Sequence, residues 1–121
     1  MALVMVVDDD VQVRQLLGQV MRREGYDVVE ADDGEIALRL FREQPADLII
    51  TDLLMPNKEG LELMQATRRI SPNVKLIAFS GGGRVDQNAC LKFAEGMGAD
   101  RVFTKPVPLA ELQQAVAELL T

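Results

Sequence analysis

Short apolar runs alternate along the chain with longer stretches in which apolar residues recur at helical spacing. Leu3–Val7, Val28–Ala31, Leu48–Thr51, Leu76–Phe79 and Val102–Thr104 are mostly apolar at consecutive positions, the pattern of strands covered on both faces, and they predict five strands. Between them run five helical stripes. Leu16, Leu17, Val20 and Met21 form the first; Ile36, Ala37, Leu40 and Phe41 the second; Leu61, Leu63 and Met64 the third. Ala89, Cys90, Phe93, Ala94 and Met97 form the fourth, and Leu109, Leu112, Val116, Leu119 and Leu120 the fifth. Asp10 and Asp33 stand where they would cap the first two helices. Gly25 follows the first, Gly96 and Gly98 follow the fourth, and Pro108 opens the fifth. Five β–α units imply one doubly wound α/β domain over residues 1–121, a parallel sheet with helices on both faces.

In such sheets ligands sit beyond the carboxyl ends of the strands. There the sequence places Asp8, Asp9 and Asp10 after the first strand and Asp52 after the third. Ser80 with Gly81, Gly82 and Gly83 follows the fourth strand, and Lys105-Pro106 the fifth. If the first and third strands are neighbours, three carboxylates crowd one rim and cannot all stay ionised without a cation. Mg²⁺ suits them, because it accepts one or two carboxylates, keeps several waters and takes a phosphate oxygen. Asp52 is delivered by an apolar strand and followed at once by Met55-Pro56, so it is a rigidly presented carboxylate, competent as a nucleophile toward phosphorus. Lys105, Ser80 and nearby amides would surround the resulting acyl phosphate with a fixed cation and donors. Taken singly, these residues have plainer readings. Asp8–Asp10 would be first-turn acids favourable to the helix dipole, Ser80 a turn residue, and the glycines a flexible loop.

Composition narrows the class. The 121 residues carry 13 basic and 19 acidic side chains, a net charge of −6, which argues against direct contact with nucleic acid or anionic membranes. There is no His, so no His-dependent triad or His-ligated zinc is available, and the lone Cys90 fits a reducing, cytoplasmic setting. Ala2–Val7 is too short for a signal-peptide core, and no apolar run approaches the ~20 residues that cross a bilayer.

Four fragments, in order at the ends of strands one, three, four and five, resemble the receiver domain of two-component response regulators. They are Val6-Val7-Asp8-Asp9-Asp10, Ile49-Ile50-Thr51-Asp52-Leu53-Leu54-Met55-Pro56, Ile77-Ala78-Phe79-Ser80-Gly81 and Val102-Phe103-Thr104-Lys105-Pro106. The resemblance implies a flavodoxin-like strand order of 2-1-3-4-5 and a phosphorylation-controlled switch with phosphoacceptor and autophosphatase chemistry rather than a metabolic enzyme. Asp52 would take the phosphoryl group from a sensor histidine kinase, a phosphotransfer protein or a small phosphodonor. Asp9, Asp52 and the backbone carbonyl of Leu54 would bind Mg²⁺ directly, and Asp8 mainly through water. Ser80 would hydrogen-bond the phosphoryl group and Lys105 would pair with it. Output to a downstream effector would run through the fourth helix, fifth strand and fifth helix, a surface that also allows a phosphorylation-dependent homodimer. A cis Lys105–Pro106 bond is implied as well.

Two features depart from the family pattern. Val102 stands where an aromatic residue is frequent, with Phe103 turned to the other face, and Leu54 and Gly82 stand where polar side chains often handle the hydrolytic water. The chain ends just after the fifth helix, as either a stand-alone receiver or a part of a longer protein.

Two other functions compete with this one. A phosphatase of the haloacid-dehalogenase type would use Asp8 and Asp10, but it needs a later acidic pair, and only Glu111 and Glu118 follow Lys105. A receiver-like interaction module that is never phosphorylated would have no use for intact acids, Ser80 and Lys105.

Overall fold

The structure, a computed structural model, describes residues 2–53, 60–80, 92, 95, 96 and 98–121. Five strands, β1 (Leu3–Val7), β2 (Asp27–Ala31), β3 (Leu48–Asp52), β4 (Lys75–Ser80) and β5 (Arg101–Thr104), form one parallel sheet in the order β2-β1-β3-β4-β5. The described helices are α1 (Val11–Arg23), α2 (Gly34–Glu43), α3 (Gly60–Ile70) and a C-terminal helix, Leu109–Leu120. The doubly wound order is therefore the one the sequence implies. Its strands differ from the apolar runs by a residue or so at their ends, because a charged residue such as Asp27, Lys75 or Arg101 continues a ladder at a sheet margin without being buried.

Alternation along each strand divides the core in two. Met5, Val7, Ile49, Leu76 and Ala78 face α2 and α3, where Phe41, Leu63 and Met64 are fully buried. Val4, Val6, Leu48, Ile50, Ile77 and Phe79 face α1 and the C-terminal helix, against Leu17, Met21, Leu112 and Val116. Val102 packs with the first group and Phe103 with the second, as alternation requires.

Both acidic caps form. Asp10 accepts from the amides of Gln12 and Val13, and Asp33 accepts from Ile36. Pro108 caps the last helix through its carbonyl, which takes the Leu112 amide at 2.9 Å. Gly25 turns the chain after α1 with a φ of 94°, a conformation open to glycine.

Two expectations need correction. Leu16 does not belong to the buried stripe of α1: it is 48% exposed, and Val13 takes the inward position with Leu17, Val20 and Met21. Gly96 lies in a helical turn instead of after it, and the left-handed turn falls at Gly98, with φ 101°. The remainder of the fourth predicted helix, including Ala89, Cys90, Phe93, Ala94 and Met97, lies outside the described residues.

Candidate functional site

Strand register assembles the site. β1 and β3 pair Val6 with Ile50, β3 and β4 pair Asp52 with Phe79, and β4 and β5 pair Phe79 with Phe103. Side chains two residues apart on a strand share a face. Asp8, Asp52 and Phe79 therefore continue one cross-strand row on the side of α1 and the C-terminal helix. Lys105, two residues beyond Phe103, reaches back along that row. Its ammonium lies 2.9 Å from Asp52 Oδ2, 3.1 Å from Asp8 Oδ2 and 5.2 Å from the centre of the Phe79 ring. Two carboxylates and an aromatic face thus surround one cation. The Lys105–Pro106 peptide is cis, and the Lys105 amide donates to the Ser80 carbonyl at 2.8 Å, tying the lysine segment to the end of β4.

Asp8, Asp52 and Ser80 are buried while Asp9 is exposed, so the cluster opens to solvent at Asp9. One carboxylate oxygen from each of Asp8, Asp9 and Asp52 lies within 4.8 Å of the others. Asp8 is held in place by the Asp10 amide, which donates to Oδ1 at 2.8 Å. Among the described residues its buried Oδ2 accepts no hydrogen bond of good geometry and pairs with the Lys105 ammonium. The structure thus brings Asp8, Asp9, Asp52 and Lys105 together and places Ser80 at the adjoining strand end. Leu54, Met55-Pro56 and Gly81–Gly83 lie outside the described residues.

Burial pushes the Asp8 carboxyl up to about 6. The Asp52 charge adds to the push, and the Asp10 amide and Lys105 oppose it. Burial works against the Lys105 ammonium too, but the hydrogen bond to Asp52 and the close charges of Asp52 and Asp8 outweigh it and hold the lysine above its ordinary value. Lys105 is therefore a permanent cation at neutral pH, whereas Asp8 keeps its proton to higher pH than an ordinary carboxyl.

Residues 4–117 match the family model described as the response regulator receiver domain. The chain belongs to the response regulator receiver domain family. It is 33% identical over 114 residues to a probable chemotaxis protein CheY of Rhizobium etli, covering 93% of this chain and 88% of that one. It is 29% identical over 117 residues to the sporulation initiation phosphotransferase F of Bacillus subtilis, covering 97% and 92%. A solved response regulator receiver domain protein from Clostridium thermocellum superposes with a TM-score of 0.89 at 26% identity, over 98% of this chain and 94% of that one. Membership places this receiver in phosphorylation-controlled two-component signalling.

Two residues that shape the receiver's site escaped the sequence pattern. Gly60 opens α3 directly against the strand that carries Asp52: a Cβ there would collide with the Asp52 carbonyl oxygen and come within 2.8 Å of the Leu53 Cα. Its amide donates to the Leu53 carbonyl at 3.1 Å, so any side chain at this position would push α3 off the end of β3. Phe79 looked like one more apolar strand residue. Only the register with Asp52 shows that its ring underlies the lysine.

A carboxyl whose folded pKa exceeds its unfolded value of 3.8 keeps a proton that the unfolded chain has lost, so its contribution to stability is lost as pH rises through that window. Without divalent cations, Asp8→Asn should match wild type near pH 4 and exceed it at pH 7.5 by on the order of 2 kcal/mol. Urea unfolding at the two pH values measures this. A variant less stable than wild type at pH 7.5 would contradict the burial argument.

Proposed function

We propose that Asp52 is the phosphoacceptor of this receiver, with Mg²⁺ held by Asp8, Asp9 and Asp52, and that residues 1–121 act as one switch. The observation that carries this reading is the shared ammonium, with Lys105 between Asp52 and Asp8 at 2.9 and 3.1 Å. The donor set fits the ion. An octahedral cation with bonds of about 2.1 Å needs ligand oxygens about 3–4 Å apart, and the three carboxylates converge to within 4.8 Å, with a buried Asp8 oxygen lacking a hydrogen bond. When bound, Mg²⁺ neutralises charge on the carboxylates and on the incoming phosphoryl oxygens.

An Asp52 carboxylate oxygen attacks phosphorus. The bond from phosphorus to the donor nitrogen or oxygen breaks, its electron pair leaves with the donor, and the donor takes up a proton. Lys105 is then free to pair with a phosphoryl oxygen in place of the carboxylate. Ser80, buried at the next strand end, supplies a hydroxyl to the phosphoryl group. The Leu54 carbonyl completes the ion's protein ligands in this reading. Added charge beside Ser80 is transmitted to the surface of the fourth helix, β5 and the C-terminal helix, which contacts the effector or a second copy of the chain.

The donor is a sensor histidine kinase or phosphotransfer protein in the cytoplasm, and α1 offers it a landing surface. A cavity of about 430 Å³ lined by Val13, Leu16, Leu17, Pro106, Val107 and Leu109 reaches Lys105 itself. An apolar partner helix seated there would bring a phosphorylated side chain to the mouth of the rim. Among the described residues no helix is long and apolar enough to cross a membrane. Leu16, exposed at the edge of this apolar cavity, suits a protein contact.

Asp52→Asn is nearly isosteric, so it should fold and yet gain no phosphoryl mass from a small phosphodonor with Mg²⁺, whereas wild type gains one. Leu16→Asp should accept from the small phosphodonor at the wild-type rate and from a phosphorylated protein donor about tenfold more slowly. Uptake by Asp52→Asn would remove the nucleophile assignment. An unchanged rate from the protein donor would move the docking surface elsewhere.

A further inference from the structure

A network on the far side of Asp8 remains unused by this mechanism. Arg14, one turn into α1, donates from Nη1 to the backbone carbonyl of Asp8 at 2.9 Å. The Asp8 amide donates to the Ala31 carbonyl, and β2 ends there, so the guanidinium takes up the carbonyl at the point where the β1–β2 ladder stops. The Arg14 Nε lies 3.5 Å from Glu30 Oε1 on β2, and Glu30 Oε2 accepts from Arg22 at 3.1 Å. Arg14 and Arg22 stand one turn to either side of Gly18 on α1. A Cβ at Gly18 would lie 3.0 Å from Glu30 Oε2, so the absence of a side chain there lets the carboxylate lie across the helix between the two arginines. Glycine inside a helix is unfavourable, and the room it makes is filled by this ion pair.

The network ends on the peptide that leads into Asp9. Asp8 is fixed at its amide by Ala31, at its carbonyl by Arg14, and at its carboxylate by the Asp10 amide. Asp10 is fixed in turn as the cap of α1. The exposed carboxylate of Asp9 therefore leaves a main chain that is clamped on both sides, and among the described residues Arg14 is the side chain outside the acidic run that holds its backbone.

We propose that Arg14, braced by Glu30 across Gly18, is a positioning residue that orients the Asp8–Asp9 peptide and thereby sets the affinity of the acidic rim for Mg²⁺. This rests on the reading that Asp8, Asp9 and Asp52 hold the ion. Positioning and simple charge have opposite signs here. A guanidinium near a cation site repels the cation, so removing it by charge alone would tighten binding. Removing the clamp loosens Asp9 and weakens binding.

The test is Mg²⁺ titration by calorimetry on the intact chain, with Asp8 carbonyl-carbon and Asp9 amide resonances followed in the metal-free protein. Arg14→Met keeps the apolar stem and should weaken Mg²⁺ about three- to tenfold, at or below the lower part of the range for partners that orient metal ligands. Glu30→Gln should weaken it about twofold and should add nothing in the Arg14→Met background. Arg14→Lys, with charge and one donor kept, should fall between wild type and Arg14→Met. The two resonances should shift in all three single variants before any ion is added. Should Arg14→Met not fold, Glu30→Gln and Arg14→Lys decide the matter by the same shifts and affinities. Binding by Arg14→Met equal to or tighter than wild type, or single effects that multiply in the double variant, would overturn the proposal while leaving the ion site in place. Failure of wild type itself to bind Mg²⁺ would remove the ion-site reading and this inference together.

Discussion

The Lys105 ammonium sits between two carboxylates that the sheet would otherwise force into mutual repulsion. Register leaves little choice in this. Asp8 and Asp52 extend adjacent strands of one parallel sheet on the same face, and Asp9 opens the cluster to water. One lysine, resting over Phe79, balances only part of that charge, and burial, with the Asp52 charge added to it, raises Asp8 in spite of the lysine. The rim is thus short of positive charge, which is the condition that favours a divalent cation.

The rest of the fold serves to hold this rim still. Apolar strands buried on both faces bring Asp8 and Asp52 to fixed positions, and their alternation commits each side chain to one face. Gly60 lets α3 start in contact with the Asp52 carbonyl, at the end of β3. On the opposite flank, the Asp10 cap and the Arg14–Glu30 pair lock the start of α1 to the main chain of the acidic run. A rigid acid cluster of this kind orients reacting atoms without rearranging its own charges.

Much of this was legible in the chain because the signals are local. Apolar runs ending in Asp, Ser or Lys mark both the strands and the rim, and the caps Asp10 and Asp33 mark helix starts that the structure bears out. What could not be read locally depends on register and on neighbours distant in sequence. Leu16 has helical spacing with Leu17 and Val20, yet it points toward the cavity beside Pro106 because the inward arc of α1 is already filled from Val13. Gly18 and Gly60 look like weak points of their helices until Glu30 and the Asp52 carbonyl are seen beside them. Phe79 becomes a seat for the lysine only once β4 is paired with β3.

The charge balance at the rim is tested most directly by counting protons released when Mg²⁺ binds. Asp8, with its carboxyl near 6, is about half protonated at pH 6 and ionised at pH 8. Calorimetric titration at each pH, in two buffers of different ionisation enthalpy, reads that number. The expected result is release of about half a proton per ion at pH 6, almost none at pH 8, and loss of the pH 6 release in Asp8→Asn. Mg²⁺ binding without proton release at pH 6, or release unchanged in Asp8→Asn, would contradict it.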